Sequence, residues 1–139
     1  MITAKKTTPA DVLEMQGHEV SPIKVHWDRL DYTHGITGWD GDTILCVGAI
    51  QWLWKGVGEA WIVLHENALE QKVATFRALK EVYGGLLKYH DWWRIQVIVR
   101  EDWEQARKMV EALGFEPEAL MRHYCEDRSN AILYAMVKT

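Results

Sequence analysis

Residues 59–99, EAWIVLHENALEQKVATFRALKEVYGGLLKYHDWWRIQVIV, decide the fold. The opening, Glu59–Leu64, is rich in β-branched and aromatic side chains and reads as a strand. Leu69, Val73, Phe76, Leu79, Tyr83 and Leu87 then recur at helical spacing, the apolar stripe of a long helix. Gly84-Gly85 predicts an end or weak point of that helix, because each glycine costs about 1 kcal/mol inside one. Trp93–Val99 closes the stretch with Ile95, Val97, Ile98 and Val99, a nearly continuous apolar run of the kind that parallel strands buried on both faces carry. Strand, helix and strand in this order predict a right-handed parallel crossover.

Upstream, Ile2–Lys6 reads as a short strand and Thr8-Pro9-Ala10-Asp11 as a helix start. Thr8 can cap, Pro9 suits the first helical position because its missing N–H is not needed there, and Asp11 stands three residues after the cap. Ser21-Pro22 marks a second start, with Ile23, Trp27 and Leu30 on one face of a short helix. Ile36–Trp39 and Thr43–Leu53 are strands joined at Asp40-Gly41, residues that tolerate the positive φ of a tight hairpin. Lys55–Gly58 is a second turn leading into Glu59. Downstream, Asp102 is placed to cap a helix striped by Trp103, Ala106, Met109, Val110 and Leu113, which Gly114 ends in the left-handed conformation. Leu120–Cys125 and Ala131–Lys138 are two last strands across the polar turn Glu126–Asn130. The expectation is a mixed α/β single domain over 1–139. Its central sheet is mostly antiparallel, with helices on both faces, in the order β-α-α-β-β-β-α-β-α-β-β.

Composition narrows the function. The 139 residues carry 16 Lys+Arg against 20 Asp+Glu, a formal charge of −4. That mild acidity lacks the basic stripe a nucleic-acid binder needs, and it disfavours anionic lipid. Hydrophobic residues make up 48% and charged ones 26%, which is globular composition. The longest apolar runs fall far short of the ~18 residues of a membrane span. The first residues hold no signal-peptide core, and two cysteines, Cys46 and Cys125, make no disulfide framework. The expectation is a reduced, cytoplasmic protein. The six histidines include no HxxxH pair, which predicts no metal. Of eight tryptophans, Trp61 and Trp93 read as core; Trp52 and Trp54, two apart on one strand, share a face, and they and Trp92 are the candidates for an exposed face that meets a substrate or a second subunit.

Three segments resemble the GNAT superfamily of acyl-CoA-dependent N-acyltransferases: ITAKKTTPAD at 2–11, the hairpin around Asp40-Gly41-Asp42, and ARKMVEALGFEP at 106–117 with its Leu-Gly-Phe ending. The likeness in element order covers nearly the whole chain. It implies an N-acetyltransferase taking acetyl-CoA as co-substrate and an amine as acceptor. In that family two neighbouring parallel strands splay apart, here the segments 59–64 and 93–99, and the pantetheine arm pairs with the freed backbone. The following helix offers its N-terminus to the pyrophosphate, here near Asn67–Lys72.

Carried onto this sequence, the resemblance places the cofactor at Val63, Leu64, Leu69, Lys72 and Ala74, and proton transfer at Glu59 and Tyr124, with Tyr134 an alternative acid. Histidine is the side-chain type whose ordinary value lies near neutrality, so His65 is a further candidate base. The family's Q/R-x-x-G-x-G/A loop is matched here only at Ala74; Lys72 stands where a glycine lets backbone approach phosphate. Val110 stands in place of the thiolate-protonating tyrosine, and Trp103 in place of an asparagine. The alternatives are a sensor that binds acyl-CoA without turnover, or a non-catalytic GNAT-fold module, of a kind found among bacteriophage-encoded and virion proteins, that binds a protein partner or its own copy through the Trp52/Trp54 face.

Overall fold

Thr8 sets the first turn of structure. In the computed structural model, which describes residues 1–88 and 90–138, the Thr8 hydroxyl accepts from the Asp11 N–H at 3.2 Å and the Asp11 carboxylate accepts from the Thr8 N–H at 3.0 Å. This reciprocal capping box starts α1 (Pro9–Met15), directly after β1 (Ile2–Lys6). Asp11 also accepts from the buried Thr37 hydroxyl at 2.9 Å, and Thr37 meets Thr7 at 3.0 Å. The box therefore ties α1 to the strand that carries Thr37 as well as closing a helix end.

The remaining elements are β2 (Glu19–Val20), β3 (Ile36–Asp40), β4 (Thr43–Trp54), β5 (Val57–His65), α2 (Lys72–Leu87), β6 (Arg94–Arg100), α3 (Glu104–Ala112), β7 (Glu116–Met121) and β8 (Ala131–Val137). One eight-stranded, mostly antiparallel sheet has the order β1-β3-β4-β5-β6-β8-β7, with β2 pairing β5. β5 and β6 run parallel, joined through α2 as the crossover pattern requires.

The chain divides into two compact units. The first comprises Met1–Gln51 and Trp61–His90. Its core gathers Val12, Met15, Trp27, Ile44, Val47 and Val63, with Trp61 packed against them and crossing Trp27 edge-on at 6.1 Å. α2 lies against β1 and β3. At Gly38 on β3, an added Cβ would stand 2.8 Å from Cys46 Sγ and 3.0 Å from Ala78 Cβ, so this glycine lets the helix approach. The second unit comprises Trp52–Ala60 and Asp91–Thr139. There β6 pairs along its full length with β8, which pairs in turn with β7.

Several expectations are corrected. The segment after Ser21-Pro22 forms no α-helix. The two residues of β2 precede it, and only a single 3-10 turn, Trp27–Arg29, follows. Trp27 is drawn into the core and its indole N–H donates to Glu19 at 2.8 Å. Gly84-Gly85 does not end α2, which continues to Leu87. Packing of Leu79, Val82, Tyr83 and Leu86 outweighs the glycine propensity. β6 is not buried on both faces: Ile95, Val97 and Val99 are buried while Arg94, Gln96, Ile98 and Arg100 are half-exposed. Asp102 does not cap α3, because its carboxylate accepts from Arg100 Nε at 2.6 Å and Trp103 is the N-cap residue instead. β7 spans Glu116–Met121 rather than Leu120–Cys125, which leaves Tyr124 in the loop. Trp93 is not core, being 48% exposed. Gly114, at φ +105°, does end α3 as expected.

Candidate functional site

In the second unit, the parallel register sets Glu59 of β5 opposite Gln96 of β6. Side chains directly opposite on neighbouring strands share a face. Gln96 Nε2 donates to Glu59 Oε1 at 3.0 Å. The Tyr124 phenol is pushed above the ordinary tyrosine range, first by burial, then by charge repulsion from Glu59 and Cys125. At neutral pH it therefore keeps the proton that a general acid needs. Tyr124 is nevertheless 53% exposed, reaching from the loop after β7. That loop is closely built: His123 and Arg128 hold positive φ, the His123 N–H donates to Asn130 Oδ1 at 3.1 Å, and Arg100 makes ion pairs with Asp102 and Asp127. Tyr134, the alternative acid, is fully buried. It accepts from Arg107 Nε at 3.3 Å and donates to Glu111 Oε2 at 2.9 Å, so its one proton is engaged.

The β5–β6 pairing comprises Val57–Ala60 with Arg94–Val97. Among the described residues these four positions are the paired ones, although β5 continues to His65 and β6 to Arg100.

In the first unit, Leu64 and His65 pair with Val20 and Glu19 of β2. Trp61, Ile62 and Val63 thus lie between the two pairings. Val63 is buried and Leu64 half-buried. His65 is buried; its Nδ1 accepts from the Asn67 N–H at 3.0 Å, and its ring stacks on His18 at 5.1 Å. The ring thereby caps the 3-10 turn Glu66–Glu70, and the nitrogen that accepts for the cap is not free to take a proton. Glu66 is paired with His18 Nδ1 at 2.8 Å.

α2 begins at Lys72, within the region where the resemblance puts a phosphate site. Gln71 gives it no side-chain cap, and its first turn holds no acidic residue. Lys72 and Val73 are exposed, Ala74 half-buried and Leu69 exposed on the preceding turn. Helix-start N–H groups without internal partners and a positive dipole end suit a dianion. The Thr75 hydroxyl, buried in the same first turn, has no partner among the described residues.

The sequence reading names Glu59 and Tyr124, and the structure puts both in the second unit. Lys72 and Ala74 share one helix turn in the first. Gln96, Arg94 and Glu118 were missed. The available signal was the alternation of Arg94, Gln96 and Arg100 with Ile95, Val97 and Val99. Cys46 is inert: burial pushes its thiol up to about 12. Among the described residues no group of three or more His, Cys, Asp or Glu is placed to hold a metal, and no helix is long and apolar enough to cross a membrane.

No family model matches this sequence. No curated protein matches it either. Solved structures do. The ribosomal-protein-S18-alanine N-acetyltransferase from Escherichia coli superposes with a TM-score of 0.77 at 15% identity, covering 99% of this chain and 94% of that one. A GNAT-family acetyltransferase from Streptococcus pneumoniae gives 0.73 at 13% identity, covering 99% and 100%. The structure of yncA, a putative acetyltransferase from Salmonella typhimurium with its cofactor acetyl-CoA, gives 0.74 at 12% identity, covering 98% and 93%. The fold of this chain is the GNAT fold.

Proposed function

We propose that this GNAT-fold chain is an N-acetyltransferase with acetyl-CoA as donor and an amine as acceptor. The observation that carries the reading is the stop in β5–β6 pairing after Ala60↔Val97, one residue beyond Glu59. Backbone groups at Trp61–Val63 suit the amides of a pantetheine arm, which pairs like an added strand. Leu64 contributes its side chain, since its backbone lies opposite β2. The pyrophosphate fits the uncapped start of α2, with Lys72 supplying positive charge and Ala74 a small side chain in the first turn. When bound, acetyl-CoA supplies an acyl carbonyl activated as a thioester.

Glu59 takes the proton from the acceptor ammonium, which frees the nitrogen lone pair for attack. Tyr124, held protonated, returns a proton to the departing sulfur and so covers the role that Val110 cannot fill. His65 holds the turn between β5 and α2 rather than acting as a base. A positioned acid or base contributes about 10²–10⁴-fold. Glu59→Gln is therefore expected to lower thiol release with a panel of primary amines by at least ~100-fold, with acetyl-CoA affinity kept. Unchanged turnover would remove Glu59 from the chemistry.

A second reading is a partner-binding module. It is favoured by Trp54, 67% exposed at the end of β4, with the exposed Leu53 beside it. If millimolar acetyl-CoA leaves the melting curve unmoved while a stable dimer is lost on Trp54→Ala, this reading replaces the first.

A further inference from the structure

We propose that Gln96 and Arg94 are positioning residues for Glu59, the near links of a hydrogen-bonded relay Glu118–Arg94–Gln96–Glu59 that crosses one face of the second unit's strands. The proposal rests on Glu59 being the base, as read above.

The relay has one direction. Arg94 Nε can only donate, and it donates to Gln96 Oε1 at 3.1 Å. That fixes the Gln96 amide, whose oxygen faces Arg94 and whose NH₂ faces Glu59, to which it donates at 3.0 Å. The Arg94 fork is itself clamped by Glu118 through Nη1 at 2.9 Å and Nη2 at 2.7 Å, the bidentate geometry that adds orientation to charge. The bond between them holds Arg94 above its ordinary value and Glu118 below its own.

The backbone places each link. Arg94 and Gln96 are two apart on β6, on the face opposite the buried Ile95 and Val97. Ala135 of β8 stands opposite both Gln96 and Glu116, a small residue on the path from β6 to β7. β7 pairs Pro117 with Tyr134 and Ala119 with Leu133, so Glu118 is the extra residue of a β-bulge. Bulges recur where a side chain must be re-aimed, and this one brings Glu118 to the Arg94 fork.

The consequence is orientation. The Gln96 donor fixes Oε1 of Glu59 and leaves Oε2 without a partner among the described residues. Gln96 from β6, with the Arg94–Glu118 pair behind it, donates to the Glu59 carboxylate without adding net charge.

The test is a kcat-against-KM split in the full chain. Gln96→Leu is expected to lower kcat roughly 10-fold or more with KM for acetyl-CoA kept, since the donor that orients the Glu59 carboxylate is lost. Arg94→Met, which frees the amide to turn over, lowers kcat by less. Arg94→Lys, which keeps a donor to Gln96, restores it, a rescue and a split that a merely structural role would not show. An unchanged kcat in Gln96→Leu and Arg94→Met, in folded protein, overturns the relay. If Gln96→Leu does not fold, Arg94→Met decides alone. Full turnover by Glu59→Gln overturns the base assignment instead.

Discussion

Replacing Gly56 with alanine puts a methyl group into the Trp93 ring. Gly56 has φ +81°, and a Cβ built there overlaps Trp93 Cε3, Cζ3 and Cδ2. Its carbonyl also accepts from the N–H groups of Trp93 at 2.9 Å and Arg94 at 3.1 Å, at the root of the β5–β6 pairing. Three effects add. The left-handed conformation costs a non-glycine residue about 1–2 kcal/mol. Overpacking costs about 1–3 kcal/mol. The stiffer unfolded chain returns up to about 1 kcal/mol. The net loss is about 1–5 kcal/mol, centred near ~3. At about 2.1 cal/mol/K per residue, 139 residues give an unfolding entropy of roughly 0.29 kcal/mol/K, so Tm falls by about 10 °C. Differential scanning calorimetry reads this directly. A drop below about 3 °C would refute the reasoning, because Trp93 would then be free to move aside and the turn free to adopt another conformation.

The contrasting substitution is Gly84→Ala, where a Cβ meets nothing within 4 Å inside α2; it should raise stability by about 1 kcal/mol in the same measurement. Thr8→Ala removes half of the capping box and should cost about 1 kcal/mol by urea denaturation. Lys72→Glu should weaken acetyl-CoA binding at least ~10-fold by titration calorimetry, about 1.4 kcal/mol, by reversing the charge at the start of α2. Burial raises the Glu19 carboxyl, but the bonds from Trp27 and Gly17, its own backbone and nearby His18 together hold it below the ordinary value. A depressed carboxylate stabilises above its unfolded value and loses that contribution as pH falls through its folded value. The Tm gap between wild type and Glu19→Gln should therefore be open at pH 6 and narrow progressively below about pH 4.

The crossover and the meander were legible in the sequence because their signals are local. Alternating and helical periods, Asp40-Gly41 and Gly114 each settle a conformation with few neighbours involved. The segment 19–30 was not legible. Ile23, Trp27 and Leu30 have helical spacing, yet the Trp27 ring finds Tyr32, Trp61 and the Glu19 carboxylate, contacts that sequence spacing does not report. The extent of α2 was misread at Gly84 because a packed face outweighs two glycines. Glu59 and Tyr124 came from the resemblance rather than from any local pattern. The relay behind Glu59 was hidden because it depends on register: Gln96 opposite Glu59, and a bulge at Glu118 that nothing in EPEALM announces.

Amide hydrogen exchange with and without saturating acetyl-CoA tests the central claim most directly. The account predicts slowed exchange at Trp61–Val63, where the arm pairs with backbone, and at Lys72–Ala74, where the pyrophosphate meets the helix start. Unchanged rates at both segments, with an unmoved melting curve, would contradict it.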